Sequence, residues 1–396
     1  MKCIHNFDEP VNRIGSVCEK WDLEGEGGKL IPLGVADTDF KAPQPVIDTV
    51  MKKAEFGVYA YGALPQKRFS EAVVGWYKKR YGFSLNPETI FHSQGIMPGA
   101  LWMLLLAFTE ENDMVIIQEP VYHNMRIITE NMKRQAISND LININGKYII
   151  DWDDLEEKAK NPKAKVLLLC NPHNPVGRVW TREELERMCD ICKKNHLIII
   201  SDEIHGDIVY GEHKHIPIFT ISEEISQYAI TMSSPSKTFN LAGFYSAYVI
   251  IHNEIMKEAY KKVYHQFHFD YNFIGMEALI TAYNECEYYV DQQNKYFEKN
   301  ISLMKGFLEK VMPEVRMTEP EATYLLWLDF RAWNLSQSEL IRLFSEWGVC
   351  LNDGSRYGKS GNGFLRVNIA TQTKILEEAL KRIKNGYERW RKKEKI

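Results

Sequence analysis

The sequence predicts an α/β protein: a large domain built on a mostly parallel sheet, joined to a smaller α+β domain. Three observations carry this. Short apolar runs of β type, Met114-Val115-Ile116-Ile117, Val166-Leu167-Leu168-Leu169-Cys170 and Leu197-Ile198-Ile199-Ile200, alternate with helical patterns. Such alternation gives parallel strands with right-handed crossovers and both sheet faces covered. Polar loops follow the β-runs: Asn171-Pro172-His173-Asn174-Pro175-Val176-Gly177, Ser201-Asp202-Glu203-Ile204-His205 and Ser233-Ser234-Pro235-Ser236-Lys237-Thr238-Phe239-Asn240-Leu241-Ala242-Gly243. Open α/β sheets hold their ligands at the carboxyl ends of the strands. Finally, at 396 residues the chain is long for a single core, so two domains are expected.

Residues 1 to about 45 carry little regular pattern but contain Lys20-Trp21-Asp22 and the run Ile31-Pro32-Leu33-Gly34-Val35-Ala36-Asp37-Thr38-Asp39-Phe40. A helical pattern runs from Pro43 to about Phe56, and Tyr59-Ala60-Tyr61-Gly62 follows. Phe69, Ala72, Val73, Trp76 and Tyr77 then recur at helix spacing up to Tyr81-Gly82. Gln94-Gly95-Ile96-Met97-Pro98-Gly99-Ala100-Leu101 opens an apolar helix, and a glycine turn entering a helix offers backbone N–H groups and a positive dipole end to an anion. Thr181-Arg182-Glu183-Glu184 reads as a capping box that starts the helix to Asn195.

Tyr228-Ala229-Ile230-Thr231-Met232 is a β-run, so Lys237 falls in the loop just past a strand end. A lysine among small hydroxyl residues suits Schiff-base chemistry once burial or its neighbours lower its pKa. A long helical pattern spans about Tyr288 to Val311. The remainder alternates strands (Thr323–Leu328, Phe364–Ile369) with helices (Ser336–Trp347, Lys374–Lys393). Arg366 stands between apolar residues in a strand, where a guanidinium needs a partner.

Composition removes several classes. A net charge of −4 with no basic cluster before the last helix argues against nucleic acid. Seven scattered cysteines do not make a disulfide framework, and Cys189-Asp190-Ile191-Cys192 lies inside a helical pattern without a second pair, so no metal site is expected. No run of eighteen apolar residues occurs and the first residues lack a signal-peptide core, which points to a cytoplasmic protein without a membrane partner.

Together the Lys237, Asn174 and Asp202 motifs resemble the fold-type I pyridoxal-5'-phosphate (PLP) enzymes of the aminotransferase class I/II group, within it the cystathionine β-lyase (carbon–sulfur β-lyase) branch. The resemblance covers nearly the whole chain. It implies an aspartate aminotransferase-like fold with a seven-stranded sheet in a large PLP-binding domain, residues 46–285. Residues 1–45 and 286–396 would form the small domain with its N-terminal arm, and Tyr248-Val249-Ile250-Ile251 the odd antiparallel strand.

It also implies roles. Lys237 carries the cofactor and acts as general base, and Asp202 pairs with the ring nitrogen. Asn174 and His205 stand by the ring's phenolic oxygen, and Tyr122 stacks on the ring. Gly95, Ile96, Met97, Ser234 and Ser236 surround the phosphate, and Tyr61 reaches the phosphate of a neighbouring subunit in a homodimer with a shared active site. Arg366, with Ala36 and Asn174, binds the substrate, the arginine gripping its α-carboxylate.

Three positions depart from the family pattern. Gly34 stands where most relatives carry Trp, Thr38 where they carry Met, and Tyr245 where many transaminases carry a phosphate-binding arginine. The implied activity is cleavage of L-cystathionine or a related cysteine S-conjugate to thiol, pyruvate and ammonia. An aminotransferase is the alternative; a third reading is a lyase-like protein that also binds and regulates a transcription activator.

Overall fold

The computed structural model describes residues 4–61, 66–267 and 271–394. Gly62, next to Tyr61 in the sequence, lies outside the described residues. A seven-stranded sheet forms the centre, from β1 (Ile90–Gln94), β2 (Met114–Ile117), β3 (Gln135–Ser138), β4 (Ala164–Cys170), β5 (Ile198–Asp202), β6 (Ala229–Ser233) and β7 (Ser246–Ile251). Their spatial order is β1-β7-β6-β5-β4-β2-β3. Neighbours from β6 through β3 pair in parallel. Only β7 runs against its neighbours, pairing antiparallel with β1 and β6, as the resemblance implies.

The apolar runs become central strands because both faces are covered. Along β4, Leu167 and Leu169 enter one hydrophobic cluster while Val166, Leu168 and Cys170 enter another on the opposite face. The capping box is present: Thr181 Oγ1 accepts from Glu184 N at 3.2 Å, and Glu184 Oε2 accepts from Thr181 N at 2.9 Å. It starts the helix Arg182–Lys194, which buries Cys189 and Cys192. Both thiols are free, and burial pushes Cys189 up to about 12. Among the described residues, no group of three or more His, Cys, Asp or Glu could hold a metal ion, and no helix is long and apolar enough to cross a membrane.

The helix Glu287–Val311 leads from the large sheet to a four-stranded antiparallel sheet of β8 (Arg316–Met317), β9 (Leu325–Asp329), β10 (Asn352–Asp353) and β11 (Phe364–Asn368). Helices Gln337–Glu346 and Thr373–Glu394 complete this α+β part. The N-terminal segment reaches this part of the chain, where Ile31–Pro32 pairs in parallel with Val349–Cys350.

Three features differ from the pattern reading. Strands β1 and β3 and a hairpin of Ile142–Ile144 with Lys147–Ile149 were not expected. The last two are short and carry exposed polar residues, so they lack the apolar run that marks β4. The strand expected from Thr323 starts at Leu325, since Thr323 has φ of 66° and cannot continue a ladder. A helical turn, Glu19–Glu24, stands in the N-terminal stretch that shows no periodicity.

Candidate active site

Strand register gathers the three polar loops. Cys170 pairs with Asp202 and Asp202 with Met232, so the loops beginning at Asn171, Glu203 and Ser234 leave the sheet along one edge. Because β7 is antiparallel, it starts at that same edge: Ser246 pairs with Gln94, directly before the Gly95 turn. Residues more than a hundred positions apart in sequence thus share one cleft.

Lys237 Nζ donates to the Ala36 carbonyl at 2.6 Å, tying the lysine loop to the N-terminal arm. Burial lowers the Lys237 pKa to about 8; Asp37 and Asp202 act against burial, and Arg366 acts with it. Asp202 is buried, and its Oδ1 accepts from Ile204 N at 3.2 Å. Desolvation pushes its carboxyl up to about 7, opposed by that backbone bond and by Lys237. A carboxylate strained in this way is relieved by a cation at its oxygens.

His205 is buried edge-on to Tyr324, ring centres 5.9 Å apart, and its Nδ1 has no partner among the described residues. Burial, then Lys237 and Arg366, hold this imidazole well below its ordinary pKa, so it is neutral. Tyr122 receives a hydrogen bond from Asn124 at 2.7 Å. Burial raises its pKa, and the charges of Arg366 and Asp202 also reach it.

Arg366, on β11, is 3% exposed. Its two terminal nitrogens donate to Asn174 Oδ1 at 3.2 Å and to the Gly34 carbonyl at 2.7 Å, and its guanidinium lies 5.2 Å from the Tyr357 ring centre. Nε has no partner, and among the described residues no carboxylate forms an ion pair with Arg366. A buried cation with no carboxylate in direct contact is costly, and an incoming carboxylate would complete it.

The structure fills the space left by Gly34. A Cβ there would lie 1.8 Å from Glu24 Oε1, so the Glu24 carboxylate occupies the first part of the volume a larger residue at 34 would take. Glu24 Oε2 accepts from Val35 N at 3.0 Å and Gly34 N at 3.3 Å, and burial raises the pKa of this carboxyl.

At the other end of the cleft, Gly95 has φ of 77°, which glycine adopts without strain, and turns the chain into the helical segment Ile96–Leu101 that continues as Trp102–Phe108. Met97 is partly buried in the same turn. The first N–H groups of such a helix have no intrahelical partner. Ser234 Oγ accepts from Ser236 N at 3.1 Å and donates to the Ser246 carbonyl at 2.7 Å, so in this structure it braces the loop. Tyr245, the arginine position in many transaminases, takes left-handed φ of 49° and sets its ring against Gly95.

Sequence reasoning missed Ser246, whose buried Oγ lacks a partner beside Gly95, and Tyr324, whose hydroxyl donates to the Ala36 carbonyl at 3.0 Å. No motif marks either; only the pairing of β7 with β1 and the arm's path reveal them. Tyr61 is not in the cleft of its own chain. It is 92% exposed, on a segment where Phe56, Val58 and Tyr59 are also exposed.

The donor set fits a planar cofactor with a carbonyl, a basic ring nitrogen and an anionic tail. It offers an enclosed amine, a carboxyl relieved by a cation, unpartnered His205 Nδ1 and Ser246 Oγ, and a helix entrance.

The match to known proteins agrees. The model of the family "Aminotransferase class I and II" matches residues 28–383, and the chain belongs to that family. Among curated relatives, cystathionine beta-lyase PatB of Bacillus subtilis (strain 168) is 36% identical over 384 residues, covering 96% of this chain and 99% of the relative. Among solved structures, PLP-containing cystalysin from Treponema denticola superposes with a TM-score of 0.94 at 32% identity, covering 98% of this chain and all of the other. A PLP-bound putative aminotransferase from Clostridium difficile 630 superposes with a TM-score of 0.93 at 38% identity, covering 97% of this chain and 100% of the other.

Proposed function

We propose that this protein is a PLP-dependent carbon–sulfur β-lyase that cleaves L-cystathionine or a related cysteine S-conjugate to thiol, pyruvate and ammonia. The observation that carries this reading is an enclosed amine, Lys237, in one cleft with a buried guanidinium, Arg366, that forms no ion pair with a carboxylate among the described residues. An amino acid is the substrate such a pair would take. Relatives named cystathionine beta-lyase and neighbours titled C-S lyase point to the lyase outcome.

The cofactor, when bound, supplies an electron sink for the charge left at the substrate Cα. Arg366 binds and orients the substrate carboxylate, its planar fork matching two oxygens. Lys237, which would also hold the cofactor, would take the Cα proton as general base. The Cβ–S bond then breaks, the electron pair leaves with the thiolate, and hydrolysis of the remaining carbon skeleton yields pyruvate and ammonia. Asp202 would hold the cofactor's ring nitrogen protonated, Asn174 and neutral His205 would bind its phenolic oxygen, and Tyr122 would pack on the ring and exclude water. Gly95, Ile96, Met97, Ser234 and Ser236 line the phosphate end, and Ala36 borders the substrate.

Incubation with L-cystathionine and no keto-acid acceptor tests the reading. A lyase turns over continuously to pyruvate and free thiol, whereas a transaminase stops after one equivalent. Arg366→Lys retains the charge but not the fork, and should raise the KM for cystathionine by about 10-fold or more, the loss of ~1.5 kcal/mol. An unchanged KM would make Arg366 structural.

Our reading includes the domain division at 46–285, with 1–45 and 286–396 as the small domain, and a cytoplasmic homodimer. The exposed run from Phe56 through Tyr61 supports the dimer, since large apolar side chains gathered on one segment invite a partner surface. Mixing Tyr61→Phe subunits with Lys237→Ala subunits tests the shared site. One site of the mixed dimer carries both defects and the other neither, so activity should rise on mixing once exchange is confirmed. No rise would mean that Tyr61 serves its own subunit.

A further inference from the structure

The N-terminal arm carries a compact charge array behind Lys237. Arg13 forks onto Asp37, Nη1 to Oδ1 at 2.9 Å and Nη2 to Oδ2 at 2.7 Å, and Nη1 also reaches Asp39 Oδ1 at 2.7 Å and the Thr38 carbonyl at 3.0 Å. Lys20, fully buried, donates to Asp39 Oδ2 at 2.8 Å and stands 3.8 Å from Asp37 Oδ1. Trp21 Nε1 donates to Asp39 Oδ1 at 2.8 Å. Asp22 accepts from Gly15 N at 2.6 Å and Cys18 N at 2.8 Å, closing the loop that carries Arg13. The Lys20-Trp21-Asp22 run therefore builds this array.

Between the array and the cleft lies one short strip of backbone. Ala36, next to Asp37, gives its carbonyl to Lys237 and Tyr324. Asn368 holds the strip from the other side, donating to the Val35 carbonyl at 2.6 Å and the Asp37 carbonyl at 2.7 Å. The charged and titratable groups facing Lys237 are Asp37, Glu19, Asp202, Arg366 and His205, with Arg13 and Lys20 behind Asp37.

We propose that Arg13 is a positioning residue for the reaction: by clamping Asp37 it keeps the Ala36 carbonyl on Lys237 and draws the Asp37 charge away from the lysine. The inference rests on Lys237 being the cofactor-bearing lysine. Without the fork, Asp37 is compensated by Lys20 alone, and its freed negative charge favours the protonated amine. Lys237 then keeps its proton to higher pH, so less of it is free amine at any pH below its midpoint. Removing Asp37 acts in the opposite sense.

The test reads Lys237 directly. The full chain, resolved of cofactor, is acetylated with acetic anhydride across pH, and labelling of Lys237 is followed by mass spectrometry. In parallel, the absorbance of the PLP-loaded protein is titrated. Arg13→Gln should raise the labelling midpoint and slow labelling at pH 7 by about three- to ten-fold. Asp37→Asn should lower the midpoint, and Arg13→Lys should recover part of the Arg13→Gln shift. Lys29→Gln, a surface cation paired with Glu26, is the control and should change neither reading. Arg13→Gln and Asp37→Asn shifting in the same sense, or neither shifting, would overturn the proposal. If Arg13→Gln is insoluble, Arg13→Lys and Asp37→Asn are compared in the same way, with opposite shifts expected. Borohydride fixation of PLP on the parent protein separates the two levels. Label on another lysine defeats the site reading, whereas label on Lys237 with unmoved midpoints defeats only the clamp.

Discussion

Lys237→Ala is expected to lower cystathionine turnover by ~10²- to 10⁴-fold or more, the range set by loss of a positioned general base. In the proposed reading the amine also holds the cofactor, so both attachment and proton removal would go with it. The physical basis is its setting: enclosed at the sheet edge, within reach of the Ala36 carbonyl, with its pKa lowered to about 8 by burial. At pH 7 an unperturbed lysine holds its proton more than a thousandfold in favour of the ammonium, whereas near 8 the free amine is a substantial fraction. Borohydride treatment of the PLP-loaded parent should leave one stable adduct on Lys237, and the variant should carry none. An adduct on a different lysine, or turnover within about threefold of the parent, would remove Lys237 from its role.

Asp202→Ala is expected to cost about 30- to 1,000-fold in kcat, equivalent to ~2–4 kcal/mol of lost charge-assisted bonding. Its carboxyl is buried at the end of β5 and pushed up to about 7, so by itself it is poorly suited to carry charge. In the proposed reading a protonated ring nitrogen would reverse that: pairing would lower the carboxyl pKa and hold the proton on the ring, where it would draw charge from the substrate Cα. The loss should therefore fall on kcat far more than on PLP retention, which the phosphate end also supports. Asp202→Asn keeps the shape without the charge and should behave like the alanine variant in rate. An effect below about threefold on kcat would exclude Asp202 from the mechanism.

Much of the large sheet was legible because its central strands are buried on both faces. A strand such as β4 must then be apolar residue after residue, and that run is visible in one dimension. The same economy marks the site, since a loop after each such strand lies at one edge. The positions of Asn174, Asp202 and Lys237 at that edge therefore follow from local pattern and order, while their roles come from the family resemblance. Edge strand β3 and the hairpin at Ile142–Ile149 were invisible because half-exposed short strands need no apolar run.

The sequence by itself determined the α/β class, the position of the chemical lysine past a strand end, and the buried arginine in a later strand. Tertiary structure alone decided what surrounds them. That Ala36 meets Lys237 across 201 positions depends on where the arm lies, paired with Val349–Cys350; that Glu24 fills the space at Gly34 and Lys20 is a buried partner of Asp39 depends on how the arm folds back on itself. Periodicity reports only the burial of a residue relative to its near neighbours. A charge that is buried because a distant segment neutralises it carries no local mark, and the arm, almost without regular structure, is held by such contacts.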